Sequence, residues 1–199
     1  MPRPMHFNLF MMDTGHHEAS WRLPDSYPLA NIDIEYFERM AQRAESVMFD
    51  SVFLADAPAL QGESARRPAG RIEPLTLLTA IARATRRIGL IATASTSYND
   101  PYNLARRFAS LDHVSGGRAG WNIVTTAGDD AARNFGLDAQ PSHAERYQRA
   151  DEFVEVAGSC GTAGRTTQSS PTRSAESGPR TTRCTSSTTA GSSSGCEAR

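Results

Sequence analysis

The chain has 199 residues, which is enough for one domain. Its formal net charge is −1 at pH 7 and all 21 basic residues are arginines, so the charge gives no indication of a nucleic-acid or anionic-membrane partner. No apolar run approaches the length of a membrane span, and the N-terminus lacks the basic-then-apolar pattern of a secretory signal. We therefore expect a soluble, cytoplasmic protein.

The composition changes sharply at residue 157. Residues 1–156 contain every Val, Ile, Leu, Met, Phe, Tyr and Trp, whereas 19 of the 43 residues in 157–199 are Ser or Thr. A segment without large apolar side chains cannot offset the entropy lost on ordering, so we expect 157–199 to be a disordered tail. The three cysteines lie in this tail, and their spacing matches no metal-ligand or disulfide pattern: Cys160, Cys184 and Cys196.

The first part of the chain predicts a strand, a helix and a second strand. The continuous apolar run Met5–Met12 is typical of a strand buried on both faces. Asp33 is a suitable N-cap for the amphipathic helix that the following spacing of three and four predicts. A second strand spans residues 51–55, with Asp56 at its carboxyl end. That carboxylate needs a partner or solvent, or it caps the next helix.

The middle of the chain repeats this pattern. Pro74 and Pro101 each stand at a favoured first position of a helix. Between these helices, residues 88–94 form a third apolar strand. Thr93 and Ser95 are two residues apart, so they share one side of the strand and would place two hydroxyls at the same edge of the sheet.

The stretch from Ser110 to Thr126 reads as a helix end, a glycine turn and a buried strand. Gly116 and Gly117 mark the stop, because glycine adopts the left-handed conformation that closes helices. Ligands bind at the carboxyl ends of parallel strands. The side chains at this strand end are therefore candidates for a binding site: Asn122, Thr125 and Thr126.

Strand and helix alternate three times before a fourth strand, which predicts a parallel sheet with right-handed crossovers. This pattern fits either a (β/α)8 barrel or a doubly wound sheet. No glycine-rich phosphate motif follows the first strand, which disfavours a dinucleotide-binding fold. A polar loop, 127–142, then leads into a helix where His143 and Tyr147 lie on one face. The adjacent His16 and His17 diverge and lack a carboxylate partner motif, so we predict no metal site there.

Four segments closely resemble the bacterial-luciferase-like flavin monooxygenases, in the branch of the nitrilotriacetate, dibenzothiophene-sulfone and pristinamycin-pathway enzymes. They read NLFMMDTGHHEASWR, FDSVFLAD, ATASTSYNDPYNLARRFASLDHVSGGRAGWNIVTT and HAERYQRADEFVEV. The resemblance implies that residues 1–156 form the N-terminal half of a (β/α)8 TIM barrel. It also implies a homo-oligomer for the full-length family.

Enzymes of this family use reduced FMN from a separate NAD(P)H-dependent flavin reductase. The flavin reacts with O2 to a hydroperoxide that oxygenates a small organic substrate, often with C–N or C–S cleavage. By this resemblance, Asp56, Thr93 and Asn122 border the isoalloxazine ring, and Ser95 lies nearby. The phosphate end is then held by His143 and Tyr147. The cofactor carries the chemistry, and no residue is assigned as acid or base.

The resemblance stops at residue 157, where the family continues with a Leu-Trp-Asp-Ser-Trp-like segment. A shifted reading frame of the codons from Ser159 onward can spell such a segment, so we expect the tail to be a frameshift product. Half a barrel leaves two open sheet edges, and we expect poor solubility and no activity from this chain alone. Two alternatives remain: a deazaflavin-dependent luciferase-like oxidoreductase, and a non-catalytic fragment or binding protein.

Overall fold

The computed structural model describes residues 5–17, 19–59, 70–165, 182–184 and 196–198. A parallel sheet contains β1 (Asn8–Phe10), β2 (Ser51–Leu54), β3 (Gly89–Ser95) and β4 (Ala119–Val124). The helices are α1 (Ile34–Ser46), α2 (Pro74–Ala84), α3 (Pro101–Ser115), α4 (Asp129–Asn134) and α5 (His143–Arg165). Short 3-10 turns, Ser20–Arg22 and Ala30–Ile32, lie between β1 and α1.

The strand order distinguishes between the two architectures that the sequence allows. Each strand pairs with the strand before it, in the order β1-β2-β3-β4, and every pairing is parallel. A doubly wound sheet reverses its order at a switch point, whereas a barrel adds strands in sequence. The sheet is therefore the N-terminal half of a (β/α)8 barrel, as the family resemblance implies.

The helices begin and end where the local chemistry requires. Side-chain oxygens of Asp33, Glu73 and Asp100 accept backbone N–H hydrogen bonds at the starts of α1, α2 and α3. Gly116 ends α3 with φ 71°, in the left-handed region that glycine adopts without a steric penalty. The predicted starts and the predicted glycine stop are confirmed.

The core lies between the sheet and its helices. Alternate strand residues face the helices, among them the fully buried Val52 and Leu90. They pack against α2 and α3 through side chains with at most 2% exposure: Leu77, Leu78, Ile81, Leu104 and Leu111. The opposite face of the sheet carries Phe10, whose ring lies 5.0 Å from that of its partner Phe53. This second face is the interior side of the barrel.

Two strands are less buried than the sequence suggests. The Met5–Met12 run forms only a three-residue strand, and Phe10 is 43% exposed. The expectation of a buried strand after Gly117 is also wrong, because β4 is an edge strand in which Ile123 is 45% exposed. Both strands have a partner on one side only among the described residues. The apolar pattern of a strand therefore predicts burial even where the strand has only one neighbouring strand among the described residues.

Three further differences concern the part after β4. The loop 127–142 contains α4, which begins with Asp129 and Asp130 where acidic side chains favour the helix dipole. The helix of His143 and Tyr147 extends beyond the composition change at residue 157 to Arg165. Two short strands, β5 (Thr182–Cys184) and β6 (Cys196–Ala198), pair antiparallel. The remaining residues of the expected disordered tail lie outside the described part of the chain.

Candidate functional site

Asn122 and Thr93 meet across neighbouring strands. They are register partners on β4 and β3, and the amide Nδ2 of Asn122 donates to Thr93 Oγ1 at 2.9 Å. Thr93 is 4% exposed, while Asn122 is half-buried. The hydrogen bond fixes the amide plane and leaves the carbonyl oxygen of Asn122 for a further interaction. The structure thus brings into direct contact two residues that the resemblance places beside the isoalloxazine ring.

Ser95, two residues beyond Thr93 on β3, forms a second group of hydrogen bonds at the same edge of the sheet. Its hydroxyl interacts with Thr126 Oγ1 at 2.6 Å, and it accepts from the backbone N–H of Ser97 at 3.1 Å. Thr126 has φ 56°, an uncommon conformation for a β-branched residue. Ser95 is 5% exposed and Thr126 is 9% exposed, so this buried pair of hydroxyls stabilises the ends of β3 and β4.

A cleft of about 720 Å³ opens at the end of β4, between this strand and the start of α5. Three predicted site residues line it: Asp56, His143 and Tyr147. The rings of His143 and Tyr147 stack, with their centroids 4.4 Å apart, and Tyr147 is 52% exposed. Thr125 and Thr126 also line the cleft, whereas Thr93, Ser95 and Asn122 lie beside it in the sheet. The structure therefore brings the six residues that the resemblance assigns to the flavin to one edge, in two adjoining groups.

Asp56 and Asp151 are the two carboxylates that line the cleft, and the charge of Asp56 is disfavoured. Burial raises the pKa of Asp56, and the nearby charge of Glu73 raises it further. The backbone N–H of Ala57 and the charge of Arg71 act in the opposite direction. Glu73 caps α2, so Asp56 does not serve as the cap of the next helix. The alternative prediction that Asp56 caps the next helix is therefore wrong.

Two arginines of α5 were not recognised from the sequence. Arg146 donates through Nη1 to the carbonyl oxygens of Thr126 and Thr125, the latter at 3.5 Å, and through Nε to Pro141 O at 3.1 Å. Arg149 donates through Nε to Thr96 O at 3.0 Å. Their spacing of three on one helix start, next to the His143 and Tyr147 pair, was the available signal.

The opposite edge of the sheet is built from equally specific contacts that serve packing. Arg118 donates to Thr85 Oγ1 at 3.0 Å and to the carbonyl oxygens of Ile88 and Ala82 at 2.8 and 2.9 Å. Desolvation lowers the pKa of Arg118. In barrels of this kind, polar residues at the amino ends of the strands stabilise the fold, and ligands bind at the carboxyl ends.

The described residues contain no group of three or more His, Cys, Asp or Glu side chains that could hold a metal ion. In that same part of the chain, no helix is long and apolar enough to cross a membrane. The nitrogen Nδ1 of His17 accepts from Ala19 N at 3.1 Å, as expected for a loop histidine.

Comparison with known proteins identifies the fold and its relatives. The family model described as Luciferase-like monooxygenase matches residues 5–182. The chain is 49% identical over 148 residues to N-acetyl-S-(2-succino)cysteine monooxygenase of Bacillus subtilis (strain 168), covering 74% of this chain and 34% of that protein. It is 42% identical over 166 residues to nitrilotriacetate monooxygenase component A of Aminobacter aminovorans, covering 77% and 37%.

Solved structures agree with these matches. EDTA monooxygenase from Chelativorans sp. BNC1 superimposes with a TM-score of 0.73 and 40% identity, over 78% of this chain and 38% of that one. A riboflavin lyase solved with modified FMN and riboflavin gives 0.70 and 36%, over 79% and 38%. The chain thus spans little more than a third of the length of the relatives and structures that it matches.

Proposed function

Because the chain belongs to the luciferase-like monooxygenase family, we propose that its strand ends and the start of α5 form part of an FMN site of a two-component monooxygenase. The observation that carries this proposal is the convergence of the Asn122–Thr93 pair and the cleft at one sheet edge. Ligands of parallel-sheet proteins bind at this edge. The chain spans about a third of its relatives, so the reaction is proposed for the whole protein.

The residues fit the cofactor in size and chemistry. A cleft of about 720 Å³ lies within the range of roughly 300–1,000 Å³ typical of cofactor sites. Asn122 offers a carbonyl oxygen to an N–H group of a planar ring, since its amide nitrogen is already engaged with Thr93. The imidazole of His143 and the hydroxyl of Tyr147 offer hydrogen bonds to a phosphate.

When bound in reduced form, FMN supplies the electrons that activate O2. The chain's own residues then bind and orient the ring and its phosphate. Asp56 lies at the cleft, and burial raises the pKa of its carboxyl group. The reduced cofactor comes from a separate flavin reductase in this proposal, which the name "component A" of a relative supports.

We also propose a small substrate that carries several carboxylates. N-acetyl-S-(2-succino)cysteine, nitrilotriacetate and EDTA, in the names of the similar proteins, share that chemistry and have carbon bonded to sulfur or nitrogen. Oxygenation beside the heteroatom would cleave a C–S or C–N bond. Oxygen uptake with FMN, NAD(P)H and a flavin reductase tests this, and stimulation only by uncharged substrates contradicts it.

Titration of the chain with FMN, followed by flavin fluorescence, tests the site. Asn122→Ala removes the proposed ring contact and is expected to weaken binding about tenfold, which corresponds to a lost buried hydrogen bond. Asn103→Ala is the matched control, because Asn103 is exposed at the start of α3 and bonds to Arg106. Equal affinities of both variants, or no saturable binding by the unmodified chain, would overturn the proposal.

A further inference from the structure

Thr126 is held in a conformation that its own chemistry disfavours. A β-branched residue at φ 56° is strained, and such strain persists only where surrounding contacts impose it. Among the described non-glycine residues, Met48 is the other one with positive φ, and it lies in the turn between α1 and β2. Thr126 differs because it lines the cleft.

Two side chains, those of Ser95 and Arg146, contact Thr126 in this conformation. Ser95 Oγ lies 2.6 Å from Thr126 Oγ1, and Arg146 donates to the Thr126 carbonyl. Arg146 Nη1 also lies 3.4 Å from Thr125 Oγ1. The side chain of Ser97 fixes the Thr125 carbonyl at 2.7 Å. Thr125 and Thr126 are thereby held on both sides of the strand end.

Arg146 is placed between the two groups of predicted site residues. It belongs to the same helix as His143 and Tyr147, and its guanidinium reaches the residues that follow β4, the strand of Asn122. A planar guanidinium that donates to several oxygens fixes their relative positions more rigidly than a single donor can. This side chain therefore links the helix start to the end of β4.

We propose that Arg146 is the positioning residue of the flavin site, since it keeps Thr126 in its left-handed conformation and sets the distance between Asn122 and the His143–Tyr147 pair. This inference rests on the proposed function. Arg146 needs no contact with the cofactor for this role. It acts through the backbone carbonyls of the strand end.

The test compares Arg146→Gln and Arg146→Lys with Arg118→Gln. Arg118 also donates to carbonyl oxygens, but at the opposite edge of the sheet. Arg146→Gln is expected to weaken FMN binding about tenfold and to speed amide hydrogen exchange at least tenfold at Thr96 and Ser97, whose N–H groups donate to Val124 O and Ser95 Oγ, with Arg146→Lys intermediate. Arg118→Gln is expected to lower the melting temperature and to leave FMN affinity within about twofold.

Unchanged amide exchange at Thr96 and Ser97 in Arg146→Gln overturns the inference, whether or not the chain binds FMN. An affinity within about twofold of the unmodified chain also overturns it, provided that Asn122→Ala weakens binding, and then the proposed function stands alone. If Asn122→Ala has no effect either, the proposed function itself fails. If Arg146→Gln does not fold, Arg146→Lys decides through the same two measurements.

Discussion

Asp56 shows how a single residue at the cleft influences both stability and the site. Burial raises its pKa above the ordinary value for an aspartate, so the native state binds a proton more tightly than the unfolded state does. The free energy of unfolding therefore falls as pH rises from the unfolded pKa, about 3.9, through the folded pKa. A residue that costs stability at the carboxyl edge of a sheet fits a functional role better than a structural one.

Asp56→Asn is expected to stabilise the chain at pH 7, by less than about 1 kcal/mol because Asp56 remains partly solvated. The gain should disappear below about pH 3.9, where the aspartate is protonated in both states. Thermal or urea denaturation across this pH range measures it. Asp138→Asn, at an exposed position, should stay within about 0.5 kcal/mol throughout. A loss of stability in Asp56→Asn at pH 7 would contradict the account.

For individual residues, the sequence predicts which side chains lie near one another but not which hydrogen bonds they form. A period of two places Thr93 and Ser95 on one side, and the structure confirms it. Their partners, Asn122 and Thr126, depend on the register of β3 and β4, which alternation along one strand does not define. The sequence shows the spacing of Arg146 and Arg149 but not what Arg146 contacts. Its contact is the left-handed turn at Thr126, and a threonine does not signal such a turn.

A polar contact at the amino edge of the sheet connects helix α1 to strand β3. Glu45, at the end of α1, accepts hydrogen bonds through Oε1 from the backbone N–H groups of Arg86, Arg87 and Ile88 at 3.0, 2.6 and 3.0 Å. Desolvation of its carboxylate opposes ionisation, but these three donors outweigh it and lower the pKa of Glu45. The contact joins α1 to the turn that begins β3.

Glu45→Gln is expected to lower the free energy of unfolding by about 1–2 kcal/mol, since charge-assisted bonds to backbone N–H groups become neutral ones. Because the folded pKa lies below the unfolded one, the stabilisation is present above the unfolded pKa, about 4.3, and is lost as pH falls through the folded value. Chemical denaturation at pH 7 and pH 3 measures both. Glu35→Gln is the control, since its pair with Arg39 is exposed and should matter little. Equal losses in the two variants would refute this role of Glu45.

Two glycines are expected to respond to alanine with opposite signs. Gly116 needs its left-handed φ of 71°, so Gly116→Ala should cost about 1–2 kcal/mol even though a Cβ there meets nothing within 4 Å. Gly158 lies within α5, where a Cβ also meets nothing within 4 Å, and Gly158→Ala should stabilise by up to about 1 kcal/mol. Denaturation midpoints measure both changes. A destabilising Gly158→Ala would show that α5 does not extend past residue 157 in solution.

Helix boundaries were predictable because their signals are local, as the caps Asp33, Glu73 and Asp100 show. Strand burial was not predictable, because it depends on neighbours distant in sequence. β4 has the apolar pattern of an inner strand, yet it lies at the edge of the described sheet.

The whole molecule is organised by the polarity of its parallel sheet. Contacts at the amino ends of the strands, such as those of Arg118 and Glu45, join helices to turns. The predicted site residues gather at the carboxyl ends, where the Asn122–Thr93 pair adjoins the cleft of His143 and Tyr147. The strand order β1-β2-β3-β4 makes this arrangement half of a barrel. The central claim is that this carboxyl edge binds FMN.

Amide hydrogen exchange of the chain with and without FMN tests that claim most directly. We expect slower exchange in residues 93–97, 122–128 and 143–147 when FMN is added, and unchanged exchange in residues 85–88 and 115–118 at the opposite edge. Protection confined to the opposite edge, or no protection at saturating FMN, would contradict it.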